Sequence, residues 1–593
     1  MMSWDVVVWG GGTGGCAAAV QSARTGASTL LLTPGHWLGG MLSAAGVSAP
    51  DGHELSCWQT GLWGALIRDL QPRVPEGLDQ NWVSCFGFRP DQAEAVLQEW
   101  VAAEELLTWW PGTTLLDVGR RADRIDALTV RYADESISLT PEIVVDGSDL
   151  GDLMARAEVP FRWGWEPREC WNEPSAPPRQ QLSSDPFFRR QPVQSPTWVA
   201  MGQLTEARLP VQPLVEPQEP FRGCLETFGL ERTLTYGRLP GGLVMLNWPK
   251  QGNDWHIDLG RCISPDPKEK DDLAVAMRRH SRAFLDTLRA CSGGALEAGS
   301  AFPGPSPELA LMPYWREGRR LVGDAVVTEC DLLPVAAGRR GPLPLDASGR
   351  CTSIAVGTYA NDHHYPGEDW PLAPKSCRWG GRWTGTPFCV PLAALVSRSA
   401  PNLLMADKAF SVSHMANGAT RLQPLMLNLG QAAGLAAALS IRRATVPAEL
   451  PVEAVQHALL EDPVAPAAVL PLWEWPSWHP DWAQAQRRGL CHPDAVDEQG
   501  NLHPAQVSDL SRPQPDGAPC PGPARRFKGR LFHGPDGALR LSCGQGDQTL
   551  ITLEPAVNQR LMAMRDAEPV ELIAAENPWG PWLRVIQVLD ASS

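Results

Sequence analysis

A glycine run lodged between an apolar strand and a small-residue helix dictates how this chain begins to fold. Asp5-Val6-Val7-Val8-Trp9 is continuously apolar rather than alternating, the pattern of a buried parallel strand. It leads straight into Gly10-Gly11-Gly12-Thr13-Gly14-Gly15, which carries G-x-G-x-x-G at Gly10, Gly12 and Gly15. Cys16 to Thr25 reads as a helix closed by Gly26, and Ser28–Leu32 as a second strand. This is a βαβ unit of the length a dinucleotide needs. Gly10 makes the tight turn, Gly12 lets a pyrophosphate approach the backbone, and Gly15 brings helix and sheet together. Free N–H groups at the helix start then meet the phosphates. Gly10, Gly12, Thr13 and Gly15 are the expected contacts. The bland alternative is a glycine-rich turn in an ordinary βαβ unit. One element departs: Thr33, followed by Pro34, stands where an acid should hold the ribose hydroxyls. A hydroxyl cannot match the paired acceptance of a carboxylate, so ribose binding is expected to be weaker or borrowed from elsewhere.

Composition narrows the class further. The 593 residues are 43% hydrophobic and 20% charged, a globular balance with room for two or three domain-sized units. The net charge of −16 disfavours a non-specific nucleic-acid or anionic-membrane binder, whose surface is normally basic. The 14 cysteines never form C-x-x-C, which removes the simplest zinc and dithiol readings, so no metal is expected. Reduced, mostly buried thiols are expected, in a cytoplasmic protein. No signal peptide and no membrane span is expected.

Several later segments decide between nucleotides. His36-Trp37-Leu38-Gly39-Gly40-Met41 follows the second strand. Ile143-Val144-Val145-Asp146-Gly147-Ser148-Asp149-Leu150-Gly151-Asp152 comes next, and then Tyr314-Trp315-Arg316-Glu317-Gly318-Arg319-Arg320. Gly357-Thr358-Tyr359-Ala360-Asn361-Asp362-His363-His364, Pro401–Asp407, and Ser411–Gly434 with Arg421-Leu422-Gln423-Pro424 and Gly430-Gln431-Ala432-Ala433-Gly434 complete the series. In this order, over about residues 5 to 445, they resemble the FAD-dependent oxidoreductases of the glutathione-reductase-type flavin fold. Gly147, Ser148 and Leu150 depart from that family's D-A-T and E-G-D-L pattern. The resemblance implies non-covalent FAD, with Gly39, Gly40, Met41, Asp407, Gly430, Gln431 and Ala432 joining the glycine loop and Thr33 as cofactor contacts. It places His36 on the adenosine side, too far from the ring for covalent attachment. Gly430–Leu439 admits two readings: a helix whose positive N-terminus faces the flavin N1–C2=O edge, or one packed close to another backbone through its alanines.

An α/β chain is expected: the resemblance implies a Rossmann-type FAD-binding domain in two pieces, the Trp-, Pro- and Arg-rich stretch between them reads as an inserted mixed α+β substrate domain, and short alternating runs with turn signals after Arg526 read as a small C-terminal β-rich appendage. The expected boundaries are 1–160 and 385–445 for the FAD domain, and 161–384 for the insert. A helical extension with a Pro-rich linker takes 446–525, and the appendage 526–593. Expected helices are Asp91–Leu107, Asp271–Cys291 and Pro451–Glu461; Pro174–Pro196 reads as a long loop and lid. His414 should lie near the ring and accept a proton as hydride leaves to flavin. The bland alternative is a histidine that bonds a loop carbonyl. One of His363 and His364, beside Asp362, could act as an oriented base, and Arg421 could clamp a carboxylate or phosphate, with Arg316, Arg319 and Arg320 behind it. The expected function is oxidation of a small organic substrate. Lacking a second nucleotide fingerprint, the chain should pass electrons to oxygen, a quinone or a protein partner. Alternatives are a flavin-dependent isomerase or lyase, or structural FAD. A homo-oligomer stays open.

Overall fold

The computed structural model describes residues 2–205, 209–248, 251–336, 338–360, 362–366, 370–520, 523–544, 546–577 and 582–589. The opening run forms strand β1 (Met2–Trp9), helix α1 (Thr13–Arg24) and strand β2 (Thr29–Leu32). Four more strands follow: β3 (Leu107–Trp110), β4 (Thr114–Arg121), β5 (Arg124–Tyr132) and β6 (Glu135–Asp146). They line up as β3-β2-β1-β6-β5-β4, and the strand Leu403–Met405 joins against β6. β6 serves two neighbourhoods. Its first half runs antiparallel to β5, and its end, Ile143–Asp146, runs parallel to β1 with Leu403–Met405 on the other side. Val6–Val8, Leu30–Leu32, Val144 and Val145 are fully buried, as continuous apolar runs in a sheet covered on both faces must be. The expected helix Asp91–Leu107 is shorter, Pro90–Ala102. Leu107-Thr108-Trp109-Trp110 leaves it for the sheet, because β2 offers a parallel edge that these β-favouring side chains can pair with.

The helix Gln423–Arg443 lies across α1, and here the flavin-facing reading of Gly430, Gln431 and Ala432 needs correction. The helix starts at Gln423, with Pro424 in its first turn, about two turns before Gly430. Those three residues sit inside it. A Cβ on Gly430 would run into the Gly14 carbonyl, and one on Gly434 would lie 2.8 Å from Ala18 Cα. The small residues are there so that two helices can touch. Gln431 accepts the Leu62 N–H at 3.0 Å and donates to the Ala465 carbonyl at 2.8 Å. By length and hydropathy this helix could cross a membrane, but 94% of its most apolar window is buried in the protein.

Between the two pieces of the large sheet, Ala200–Leu204, Leu243–Leu246 and Leu296–Ala298 form an antiparallel sheet against the long helix Pro267–Ser292. The Asp266 carboxylate caps that helix by accepting the Lys268 N–H at 2.9 Å. The segment Pro174–Pro196 contains two short helices. It is pinned by Phe187 and Phe188, which pack on Trp165 and Trp370. Residues 472–482 add Trp473, Trp475 and Trp482 to the main core, and Trp473 meets the Trp58 ring edge-on at 4.7 Å.

The last five strands, Arg525–His533, Leu539–Cys543, Gly546–Thr552, Pro569–Glu576 and Trp582–Leu589, close into a barrel. The third and fifth pair in parallel, and the helix Pro555–Ala563 sits between the third and fourth, the arrangement of an OB-type barrel. Leu531, Leu541, Leu550, Leu572 and Leu583 give it a core of its own. Ile551, Leu553 and Trp582 instead belong to the main core. The Ser56 N–H donates to the Leu553 carbonyl at 2.9 Å, and Asn577 Nδ2 donates to Asp79 at 2.6 Å.

Candidate active site

The glycine loop opens onto a groove of about 390 Å³, walled by Gly10–Gly12, Thr33–Trp37, Gly40, Gly147–Leu150 and Trp315. Gly10 has φ +98°, a left-handed conformation that a side chain would strain. A Cβ on Gly12 would lie 3.0 Å from both Asp407 Oδ2 and the Gly147 carbonyl oxygen. The loop is braced from behind. Thr13 Oγ1 donates to the Gly39 carbonyl, and the Gly39 N–H to the Gly11 carbonyl, each at 2.8 Å. Bare backbone and a helix N-terminus at the edge of an elongated groove fit the pyrophosphate and nucleoside of a dinucleotide.

Three expected contacts act differently from their sequence reading. The Thr33 hydroxyl donates to the Gly35 carbonyl at 2.7 Å and accepts Trp109 Nε1 at 3.0 Å, so it shapes the loop after β2. Asp407 accepts the Gly14 N–H at 2.8 Å and pairs with Lys408 at 3.2 Å. It thereby supplies, from the far end of the chain, the cap that α1 lacks locally. Met41 is buried behind the groove.

Further along the same segment, Val47, Ala49 and Asp51 reach a second, smaller space of about 40 Å³. Leu422 and Gln423, at the start of the closing helix, form another part of its wall, and Gln423 Nε2 donates to the Val47 carbonyl at 2.8 Å. The charged wall is continuous. Arg316 pairs with Asp254 at 3.1 Å, and Asp254 faces His364 Nδ1 at 2.6 Å. His364 Nε2 lies 3.0 Å from Asp362, and Asp362 pairs with Arg421 at 3.0 Å. Arg421 also donates to the Tyr314 hydroxyl, and Tyr359 donates to Asp362 at 3.3 Å.

Irregular segments bring these residues together. Thr197 bridges to both Asp254 and Tyr314, and the Ser195 N–H holds the His364 carbonyl at 2.9 Å. Asn361 lies outside the described residues. The electrostatics follow from the array. Burial alone would raise the Asp254 carboxyl, but Arg316 and His364 overcome it and hold it down at about 2. His364 and Arg421 hold Asp362 far below the usual range against the same desolvation. Asp51 goes the other way: burial, reinforced by Glu54, raises it well above an ordinary carboxylate. The Nε atoms of Arg316 and Arg421 are buried with no hydrogen-bond partner among the described residues.

The other sequence candidates lie off this wall. His414 Nδ1 faces Glu317 at 2.8 Å, its Nε2 faces the Tyr365 hydroxyl at 2.7 Å, and Trp165 covers its ring at 4.0 Å. His363 shares that Tyr365 hydroxyl at 2.7 Å, and burial with the neighbouring His414 lowers its pKa well below the usual value. Neither borders the cavity. Arg320 pairs with Glu166 and Glu317, and Arg319 with Asp152. Sequence reasoning reached His364, Arg421 and Arg316. It missed Asp254, which carries no motif. It also missed Asp51, whose only signal is its place shortly after the Gly39-Gly40 turn.

A parallel sheet with a glycine-braced nucleotide groove, and a polar cavity reached by the segment that follows the Gly39-Gly40 turn, defines a dinucleotide-dependent enzyme. The family model described as FAD dependent oxidoreductase matches residues 5–459. The chain belongs to that family, and its cofactor is FAD. Among solved structures, a geranylgeranyl bacteriochlorophyll reductase-like protein of Thermoplasma acidophilum is 9% identical, with 86% of this chain and 96% of that one covered at a TM-score of 0.35. L-proline dehydrogenase from P. horikoshii is 19% identical over 25% of this chain and 22% of that one, TM-score 0.16. p-Nitrophenol 4-monooxygenase from Pseudomonas putida is 13% identical over 28% and 46%, TM-score 0.20. The match thus spans less than half the length of either of these last two enzymes. None of the curated proteins matches the chain.

Proposed function

We propose that the polar cavity takes the hydroxyl or carboxylate end of a small organic substrate for oxidation, with FAD, bound along the groove, supplying the two-electron acceptor. The observation that carries this reading is that two arginines, Arg316 and Arg421, line one small cavity together with Asp51 and His364. Guanidinium groups at a cavity wall favour an oxygen acceptor, and a substrate hydroxyl or carboxylate oxygen is one.

His364, fixed between Asp254 and Asp362, keeps both arginines in place rather than moving a proton itself. We assign the proton to Asp51. Its carboxyl lines the same cavity, and its raised pKa makes it a stronger base than an ordinary carboxylate. Val47, Leu422 and Gln423 add to the lining of the same space. Anaerobic mixing of the holoenzyme with hydroxy acids, amino acids and polyols, while following flavin bleaching, tests the reading. At least one class should bleach the flavin, and its saturation should weaken at least tenfold in Arg421→Lys. Bleaching that is indifferent to Arg421→Lys and to Asp51→Asn would move the substrate elsewhere.

A further inference from the structure

Between the flavin-binding body and the C-terminal barrel lies a cavity of about 340 Å³. This is at the lower end of the roughly 300–1,000 Å³ typical of small-molecule sites, which favour domain junctions. It shares no residue with the groove or the polar cavity. One wall is the helix Gly61–Leu70, through Ile67 and Arg68, and the other is the barrel, through Leu553, Val585 and Ile586. Phe86 adds to its apolar part.

Its charged members are Arg68, Arg584 and Glu554. Glu554 is already engaged: it accepts the Ser56 hydroxyl at 2.9 Å and Trp478 Nε1 at 3.1 Å, and burial raises its pKa. Arg584 has one loose ion pair, 4.0 Å to Asp79. Asp79 is satisfied without it, accepting Asn577 Nδ2 at 2.6 Å and Trp582 Nε1 at 3.3 Å. Arg68 is exposed and donates to the Val464 carbonyl at 2.9 Å, and it has no ion pair among the described residues. Two guanidinium groups with donors to offer, beside a predominantly apolar lining, match an anion attached to hydrocarbon. The planar fork suits a carboxylate in particular.

We propose that this junction binds a small amphipathic carboxylate. Its hydrocarbon part packs on Ile67, Phe86, Val585 and Ile586, and its carboxylate meets Arg584 and Arg68. Isothermal titration of the FAD-loaded protein with octanoate, 1-octanol and octylamine tests this. Octanoate should bind with one-to-one stoichiometry, at least tenfold tighter than either neutral or cationic analogue. Arg584→Gln should weaken it about tenfold or more, with Tm confirming the fold. Exposed Arg68→Gln, which leaves the packing untouched, should weaken it several-fold. Equal binding of all three probes would overturn the proposal, as would octanoate binding unaffected by either substitution. Binding lost in Arg421→Lys and kept in Arg584→Gln would also overturn it, by placing octanoate in the polar cavity instead.

Discussion

The nucleotide groove and the polar cavity draw on one segment, residues 40 to 51, yet they are built by opposite means. The groove is backbone: glycines, helix ends and carbonyls, with side chains such as Thr13 and Thr33 turned to bracing the loops. The cavity is side chain: arginines and carboxylates with a histidine between them, carried on segments without regular structure. A backbone site tolerates no added atom, because its neighbours cannot move aside. A charged side-chain site tolerates a change of shape but not an unpaired charge. The two should therefore fail in different ways.

Gly15→Ala should be the most damaging change. Its Cβ would run into the Gly10 carbonyl, so no soluble yellow protein should be recovered. A soluble variant with full FAD content would break the comparison at its first term. Gly12→Val should fold but emerge colourless, since its side chain crowds Asp407 and Gly147 where phosphate must approach. Asp51→Asn should keep FAD and slow anaerobic flavin reduction by roughly 10²–10⁴-fold, the usual worth of a positioned base. In the native enzyme that rate should fall as pH drops through the raised Asp51 pKa, because only the ionised form accepts a proton. The variant's profile should lose this limb, and a limb that persisted would assign the base elsewhere.

Asp254→Asn should keep the shape of the cavity but leave Arg316 and His364 underpaired. A drop of about 3–5 kcal/mol in denaturant-derived stability is expected, the usual result of breaking a buried ion pair. His414→Gln should lower Tm modestly and leave the reduction rate per bound flavin nearly unchanged, as its contacts lie off the cavity. A large rate loss there would return the proton to His414. Glu173→Gln should act through pH. Burial raises the Glu173 carboxyl to about 7. Its contribution to stability is thus fully present below the ordinary glutamate range and is lost as pH rises toward 7. The variant should flatten stability across that interval in urea melts.

The groove was legible because its makers are neighbours in sequence. A strand, six residues of mostly glycine and a helix can be recognised without knowing what packs on them. What escaped came from afar: Asp407 as the cap of α1, and the true start of the closing helix at Gln423. There Gly430 and Gly434 answer to α1 rather than to a ligand. The cavity was legible only in part, since the segments bearing Asp51, Asp254, Arg316, His364 and Arg421 are separated by much of the chain. His364 and His363 look equivalent in sequence. The backbone bond from Ser195 helps set one on the wall, and Tyr365 ties the other to His414.

The packing of Gln423–Arg443 on α1 also has a consequence in time. On a ribosome, α1 is complete once Arg24 has been added, while its partner helix ends at Arg443. At about 5–20 residues per second, the intervening stretch takes roughly 20–80 s to make. Throughout that interval Gly14, Ala17 and Ala18 lack the helix they pack against, and for most of it Leu403–Met405 has not arrived to flank β6. The segment that would recognise the cofactor is among the first made, and the groove is among the last things finished. Nascent chains should therefore capture FAD only once Gln423–Arg443 has been made.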